Sequence, residues 1–252
     1  MVLVRQPVPS FVQLAAHPLR WQLLAALSGG DYRVREMVTL LGESQNLISY
    51  HLRLLRDGGL VRATRSSFDG RDSYYHLDLD CCAEMLTGAG AALHPALGLI
   101  PTAPQFDSQA PASVLFVCTG NSARSVIAEA LLLQRTDGRV EARSAGTRPR
   151  PIMHPNAMRV LREQFGIDIS GQDPRHVDAL EGQRFDTVIT LCDKAREVCP
   201  EFGEGTHWIH WSIPDPSEAG GTDEDTYPAF QATAADIDTR IRYLMPNLTT
   251  EK

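Results

Sequence analysis

Apolar residues recur at helical spacing through the first third of the chain. PLRWQLLAAL puts Leu19, Leu23, Leu24 and Leu27 on one face, and VREMVTLLG ends at Gly42, a residue suited to a C-terminal cap. SQNLISYHLRLLRDGGLV predicts a further helix, with Ser44 as N-cap, an inward stripe of Leu47, Ile48, Leu52 and Leu55, and a stop at Gly58 and Gly59. The period then changes to two. LVRATRSS and SYYHLDLD alternate apolar and polar residues about FDGRD, so Asp69 and Gly70 are expected to turn a β-hairpin. A last helix, rich in Ala and Leu, is expected from Cys81 to Leu93.

Residues 95–112, PALGLIPTAPQFDSQAPA, carry four prolines and no sustained period, which predicts a linker. Beyond it, SVLFVCTGNSARSVIAEALLLQ opens on a β-rich apolar run, crosses a loop of small residues, and resumes helical spacing at Val126, Ala130 and Leu131. Two domains are therefore expected, 1–94 and 113–252, joined by 95–112.

Composition narrows the classes. The chain has 252 residues, 43% of them hydrophobic and 22% charged, which is globular and excludes collagen-like or wholly disordered chains. Its apolar runs fall short of the ~18–20 residues of a membrane span, and MVLVRQPVPS contains no export-signal core. Five cysteines, an odd number, do not form a secreted disulfide framework, so a reducing cytoplasm is expected. The net charge of −7 resides after residue 95, because the first 95 residues hold nine Arg and nine acidic side chains. Non-specific polyanion binding by the whole chain is disfavoured, while a local Arg-lined surface on the first domain is allowed.

Helix, short turn, helix and β-hairpin is the order of a winged helix-turn-helix, a mainly α fold whose capped helix enters the DNA major groove. A plainer reading leaves the same polar residues as the solvated face of a protein-interaction module. SQNLISYHLRLLRDGGLVRATR followed by DGRDSYYHLDLD resembles the recognition helix and wing of ArsR/SmtB-type metalloregulators. That resemblance implies that Ser44, Gln45, Asn46, Ser49, Tyr50, His51 and Arg53 face the groove of operator DNA, with Arg62, Arg65 and Arg71 reaching phosphates from the wing.

In the second domain Cys118 and Arg124 enclose five residues between a strand and a helix. A loop that wraps into a helix N-terminus aims the N–H groups of Thr119, Gly120, Asn121, Ser122, Ala123 and Arg124 at one point, an oxyanion site. The same positive potential favours the thiolate of a cysteine beneath it, and Ser125 can donate to that sulfur. Arg124 can grip a tetrahedral oxyanion through two donors and hold the charge of the transition state. Gly120 permits close backbone approach and Asn121 tolerates a left-handed turn.

VLFVCTGNSARSVIAEALL, continued by SAGTRPRPIMHPNAMRVLREQFGIDISGQDPRHV, resembles the low-molecular-weight tyrosine phosphatase fold, which one class of arsenate reductases shares. It implies a three-layer α/β domain with a small parallel sheet and the anion, arsenate or phosphate, at the end of its first strand. In both families an Asp-Pro near WSIPDPSEAGG is the proton donor, which assigns Asp215. The phosphatases follow that dipeptide with aromatic residues; Ser217 and Glu218 stand here instead.

DTVITLCDKAREVCPEF carries Cys192 and Cys199. Reduction of arsenate takes two electrons, and a relay of thiols supplies them as a protein disulfide. The segment resembles the redox segment of thioredoxin-coupled arsenate reductases. It implies that Cys118 attacks arsenate, Cys192 attacks Cys118 and releases arsenite, and Cys199 captures Cys192. Seven residues of helix span roughly 10 Å, whereas disulfide Cα atoms lie within ~7 Å, so the segment must unwind when oxidised. Many relatives have another cysteine before the loop arginine; Ala123 stands here, which removes any side disulfide within the loop. No tightly bound cofactor is implied, with thioredoxin or a low-molecular-weight thiol as reductant.

Cys81 and Cys82 are soft ligands suited to trivalent arsenic as inducer, on a helix through which the first domain is expected to form a homodimer. A zinc site from His76, Asp78, Asp80 and His94 is the weaker use of this region. His17, His51, His207, His210, Trp208 and Trp211 are expected to cap and pack. The sequence thus reads as an arsenic-responsive regulator fused to an arsenate reductase, with a tyrosine phosphatase and a non-catalytic oxyanion-sensing repressor as alternatives.

Overall fold

A computed structural model of the chain describes residues 7–68, 70–98 and 112–248. Two compact units result, one built from the N-terminal elements and one from the C-terminal elements.

The N-terminal unit runs α1 (Ser10–Ala15), α2 (Pro18–Ser28), β1 (Tyr32–Arg33), α3 (Val34–Leu41), α4 (Gln45–Asp57), β2 (Val61–Arg65), β3 (Ser73–Leu77) and α5 (Leu79–Leu93). Local chemistry sets the ends. The His17 side chain accepts from the Leu19 amide and Ser44 from the Leu47 amide, each satisfying a donor that a helix start leaves open. Gly42 ends α3 at φ 70°, where a Cβ is disfavoured. β2 and β3 form the expected hairpin, registered from Val61 opposite Leu77 to Arg65 opposite Ser73, and Gly70 takes φ 65° in its turn. Asp69, its expected partner there, lies outside the described residues. The two-residue β1, which no periodicity announced, completes the sheet order β1-β3-β2.

Leu23, Leu27, Met37, Ile48, Leu52, Leu55, Leu60 and Val61 form the core of this unit. One position of the α4 stripe is corrected. Leu47 is 38% exposed while His51 is 4% exposed, because a buried helical face follows 48, 51, 52 and 55, and residue 47 sits about 100° away from it. The last helix starts at Leu79 rather than Cys81, since the Asp78 carboxylate caps it by accepting from the Cys81 amide. Of the expected linker, Pro95–Leu97 form a 3₁₀ turn, and residues 99–111 lie outside the described part.

The C-terminal unit alternates strand and helix: β4 (Ser113–Cys118), α6 (Arg124–Arg135), β5 (Glu141–Gly146), α7 (Pro155–Phe165), β6 (Thr187–Thr190), α8 (Asp193–Val198), β7 (His207–His210) and α9 (Asp223–Leu244). The strands pair in parallel in the order β5-β4-β6-β7. Every residue from Val114 to Cys118 is buried, so helices cover both faces of the central strand, the three-layer arrangement of an all-parallel sheet. Full burial of side chains such as Phe116, Leu115 and Ile189 contributes about 1.5–3 kcal/mol each. Parallel pairing brings the strand ends to one edge, with Cys118 opposite Gly146 and Thr190 opposite both Val117 and His210. Chemistry gathers at that edge. Among the described residues no helix is long and apolar enough to cross a membrane.

Candidate active site

Cys118 ends β4 and is 2% exposed. Its Sγ lies 3.0 Å from Ser125 Oγ and accepts the Asn121 amide at 3.2 Å. Asn121 takes φ 44°, the left-handed turn expected of it, and its buried amide ties the loop together. Nδ2 donates to Ser125 Oγ at 3.0 Å and Ser144 Oγ at 2.8 Å, while Oδ1 accepts the Arg175 amide at 2.7 Å.

The segment after β5 fixes the loop from outside. The amides of Thr147, Arg148, Arg150 and His154 donate to the carbonyls of Cys118, Thr119, Gly120 and Ser122 at 2.8–3.1 Å. With those carbonyls held outward, the opposite sides of the peptide planes are left for a guest anion. Gly146 is essential to the fit, since a Cβ there would lie 2.7 Å from the Thr119 carbonyl oxygen and 2.9 Å from the Asn121 nitrogen. Sequence reasoning does not find this clamp or Gly146. The signal is the small-residue run SAG, but small residues alone do not reveal which backbone approaches them. Gly120 is crowded as well, because a Cβ there would stand 3.2 Å from both Arg150 Cγ and Ser122 Oγ.

Arg124 opens α6 and is 4% exposed. Nη1 donates to the Ile213 carbonyl at 2.8 Å and Nη2 to Asp215 Oδ2 at 2.6 Å, whereas Nε is a buried donor with no hydrogen-bond acceptor. Burial works against the Asp215 carboxylate, but the Arg124 guanidinium and two hydrogen bonds from Ser217 hold its pKa below the usual value. Burial likewise opposes the charge on Arg124, and Cys192, Cys118 and Asp215 outweigh it.

Cys192 precedes α8 and is 2% exposed, with Sγ 3.3 Å from Thr119 Oγ1. Burial pushes its thiol pKa up, against the attraction of Arg124. Cys118, Thr119, Arg124, Cys192 and Asp215 all line one pocket. Cys199 stands at the other end of α8, half-buried, and burial beside Cys192 pushes its thiol up to about 12. Both are free thiols. Asp193, to which no sequence motif points, is buried beside Cys192 and accepts from His210 Nε2 at 3.1 Å and Ser212 Oγ at 2.8 Å. Burial disfavours its charge, and these donors more than compensate, lowering its pKa.

On α4, Ser44 caps the helix, and Gln45, Asn46, Ser49, Tyr50 and Arg53 are exposed, with the Arg53 guanidinium 5.8 Å from the Tyr50 ring centroid. His51 does not join them. It is buried against His17 at a centroid distance of 4.4 Å, and burial lowers its pKa, so it packs α4 onto α2. Arg62, Arg65 and Arg71 are exposed, and Arg62 pairs with Asp78 at 2.6 Å.

Cys81 and Cys82 diverge: Cys81 Sγ lies 3.6 Å from Met85 Sδ, and Cys82 Sγ 3.6 Å from the Leu60 carbonyl, with burial pushing Cys82 up to about 12. The zinc set is corrected, because no group of three His, Cys, Asp or Glu among the described residues could hold a metal ion. Asp78 caps α5 and His94 caps the following 3₁₀ turn. His17, His51, His210 and Trp211 cap or pack as expected, but His207 and Trp208 are exposed.

The family model for low molecular weight phosphotyrosine protein phosphatases matches residues 113–252, more than half of the chain. The chain belongs to that family. Ahead of the phosphatase-family domain, the model for bacterial regulatory proteins of the arsR family matches residues 17–63. Curated relatives of the phosphatase-family domain include an arsenate reductase of Halalkalibacterium halodurans, 36% identical over 51% of this chain and 91% of its own. An arsenate reductase of Bacillus subtilis is 35% identical over the same shares. A solved arsenate reductase of Archaeoglobus fulgidus is 32% identical, covering 53% of this chain and 98% of its own, with a TM-score of 0.43.

Proposed function

We propose that the C-terminal domain is a thiol-dependent arsenate reductase and that the N-terminal domain is a DNA-binding regulator responsive to the product. The observation that carries the reading is the placement of Cys192 Sγ 3.3 Å from Thr119 Oγ1, in the pocket that also holds Cys118, Arg124 and Asp215. A phosphatase has no task for a thiol there.

Arsenate enters the loop of residues 119–124, whose amides and Arg124 receive its oxygens. The Nε of Arg124, buried without an acceptor, is the donor that such an anion would satisfy. An oxyanion that takes over the guanidinium frees Asp215 from its ion pair and adds negative charge beside it. Both changes favour the protonated carboxyl that a general acid needs. Cys118, its sulfur held by Ser125 and the Asn121 amide, attacks arsenic, and Asp215 gives its proton to the departing oxygen as an S–As bond forms. Cys192 as thiolate then attacks the Cys118 sulfur. An S–S bond forms, the S–As bond breaks, and its electron pair stays with arsenic, which leaves as arsenite. Cys199 as thiolate attacks Cys192, forming the Cys192–Cys199 disulfide and returning Cys118 as thiolate. Thioredoxin or a low-molecular-weight thiol reduces that disulfide, chemistry suited to a reducing cytoplasm.

The family model also raises phosphotyrosine hydrolysis as a second reading. No Phe, Tyr or Trp lines the pocket among the described residues, which leaves a phenyl ring without a stacking surface. Turnover of arsenate with thioredoxin or a small thiol, run beside aryl phosphate hydrolysis on one preparation, tests the choice. Arsenite release without appreciable aryl phosphate cleavage supports the reductase, and the reverse supports the phosphatase.

In the regulatory half, the exposed residues Gln45, Asn46, Ser49, Tyr50 and Arg53 on α4 read operator DNA, and Arg62, Arg65 and Arg71 hold phosphates. No residue of α5 is fully buried, and Leu86 and Leu93 are 52% and 81% exposed, an apolar face that suits a homodimer. Trivalent arsenic at Cys81 and Cys82 would shift that dimer and release DNA. Loss of arsenite response in Cys81→Ser, Cys82→Ser protein, measured by operator binding, checks the sensor.

A further inference from the structure

The relay asks opposite things of the two ends of α8, and the inference drawn from this rests on the arsenate reductase reading. Cys192 has to stay within reach of Cys118 while Cys199 travels to Cys192. Six helical residues, Asp193–Val198, lie between them. At ~1.5 Å rise their Cα atoms are roughly 10 Å apart, beyond the ~7 Å limit of a disulfide. α8 therefore has to unwind, and the structure distinguishes which end holds.

The Cys192 end is rooted in buried polar contacts. Asp193 is 2% exposed, and its Oδ1 accepts from His210 Nε2 at 3.1 Å and from Ser212 Oγ at 2.8 Å. The other nitrogen of the same imidazole, Nδ1, shares a 2.8 Å hydrogen bond with Thr190 Oγ1. Thr190 and Asp193 bracket Cys192, so one buried ring at the end of β7 ties both flanks of the thiol. Backbone bonds reinforce the anchor: the Leu191 amide donates to the Val117 carbonyl at 2.7 Å and the Trp211 amide to the Thr190 carbonyl at 2.8 Å. At the far end Val198 is 63% exposed, and the Cys199 amide donates to the Ala195 carbonyl at 2.9 Å. That is a helical bond, which unwinding releases.

We infer that Asp193 and His210 are positioning residues that pin the Cys192 end of α8, so that unwinding starts from the Cys199 end and Cys192 attacks Cys118 from a constant place. Neither touches the substrate in this role. Loss of the pin leaves the oxyanion loop intact and slows sulfur transfer.

The test is single turnover of the full-length chain with arsenate, quenched in acid, alkylated and mapped for disulfides, in wild type, Asp193→Asn, His210→Leu and His210→Gln. Inorganic phosphate binding is measured on each. His210→Leu removes both hydrogen bonds of the ring, and formation of the Cys118–Cys192 bond is expected to slow roughly ten- to hundredfold, the usual effect of a misplaced reacting group. His210→Gln keeps an amide donor for Asp193 and is expected to recover most of the rate, with phosphate affinity unchanged throughout. A purely structural role would lower phosphate affinity and sulfur transfer together and give no recovery with Gln. Should His210→Leu fail to bind phosphate, Asp193→Asn decides: it keeps the shape but loses the charge that strengthens both hydrogen bonds, so it is expected to bind phosphate as wild type does and to slow the same step, and an unchanged rate overturns the inference. Equal rates in all variants, or a Gln variant as slow as Leu, overturn the inference. Wild type that releases arsenite yet forms neither a Cys118–Cys192 nor a Cys192–Cys199 bond overturns the relay itself, an outcome visible without any variant.

Discussion

Substitution of Asn121 probes the architecture of the oxyanion loop. Its side chain makes three buried hydrogen bonds, to Ser125, Ser144 and the Arg175 amide. Removing them leaves those partners short of a bond, at about 1 kcal/mol each, or about 3 kcal/mol together. Asn121 also holds φ 44°, and a non-glycine residue without a polar side chain there costs about a further 1 kcal/mol. Asn121→Ala is therefore expected to destabilise the C-terminal domain by about 4 kcal/mol and Asn121→Gly by about 3 kcal/mol. The assay is urea unfolding followed by the fluorescence of Trp208 and buried Trp211, both in the C-terminal domain, in a Trp21→Phe background that removes the N-terminal signal. Phosphate binding should fall in both variants. Ala and Gly variants of equal stability would refute the backbone half of this reasoning, and either variant within about 0.5 kcal/mol of wild type would refute the hydrogen-bond half.

Other expectations follow from neighbouring groups. Gly146→Ala places a Cβ 2.7 Å from a loop carbonyl, so phosphate affinity measured by calorimetry should drop at least about tenfold, the loss of roughly 1.4 kcal/mol. Cys199, with its thiol pushed up to about 12, is almost wholly protonated at neutral pH, so its alkylation in the reduced chain should be slow at pH 7 and rise about tenfold per pH unit toward pH 10. Asp215 is ionised in the free protein, and oxyanion binding should take up a proton that Asp215→Asn does not take up, read by calorimetry in buffers of different ionisation enthalpy. Because its folded pKa lies below the ordinary 3.8, its ion pair stabilises the protein above that pH, and this stabilisation is lost as the pH falls through the lowered value. Acid unfolding of Asp215→Asn should lack that component.

Strong local signals are legible in the sequence. Helix caps such as Ser44 and Gly42, the two-residue period of the hairpin, and the strand-loop-helix around Cys118 each depend on neighbours in the chain. Such patterns name Cys118, Ser125 and Arg124, the family resemblance adds Asp215 and Cys192, and folding gathers them about the end of β4. What escapes depends on partners distant in sequence. Gly146 matters only because residues 119–121 press against it, and Asp193 only because β7 brings His210 to it. His51 misleads for the same reason: its chemistry suits DNA, but its place on the 48, 51, 52, 55 face turns it into the core against His17. The directions of Cys81 and Cys82 are also hidden by their adjacency: successive helical side chains diverge by about 100°, and Cys82 turns toward the Leu60 carbonyl.

The central claim is that Cys118, Cys192 and Cys199 pass electrons to arsenic in that order. Peptide mapping of the full-length chain after one round with arsenate and no added reductant addresses it most directly. The expected product is a Cys192–Cys199 disulfide with Cys118 returned to the free thiol, one arsenite released per chain, and a Cys118–Cys192 disulfide when Cys199 is replaced by Ser. Arsenite released by a chain whose Cys192 and Cys199 both remain free thiols would contradict it.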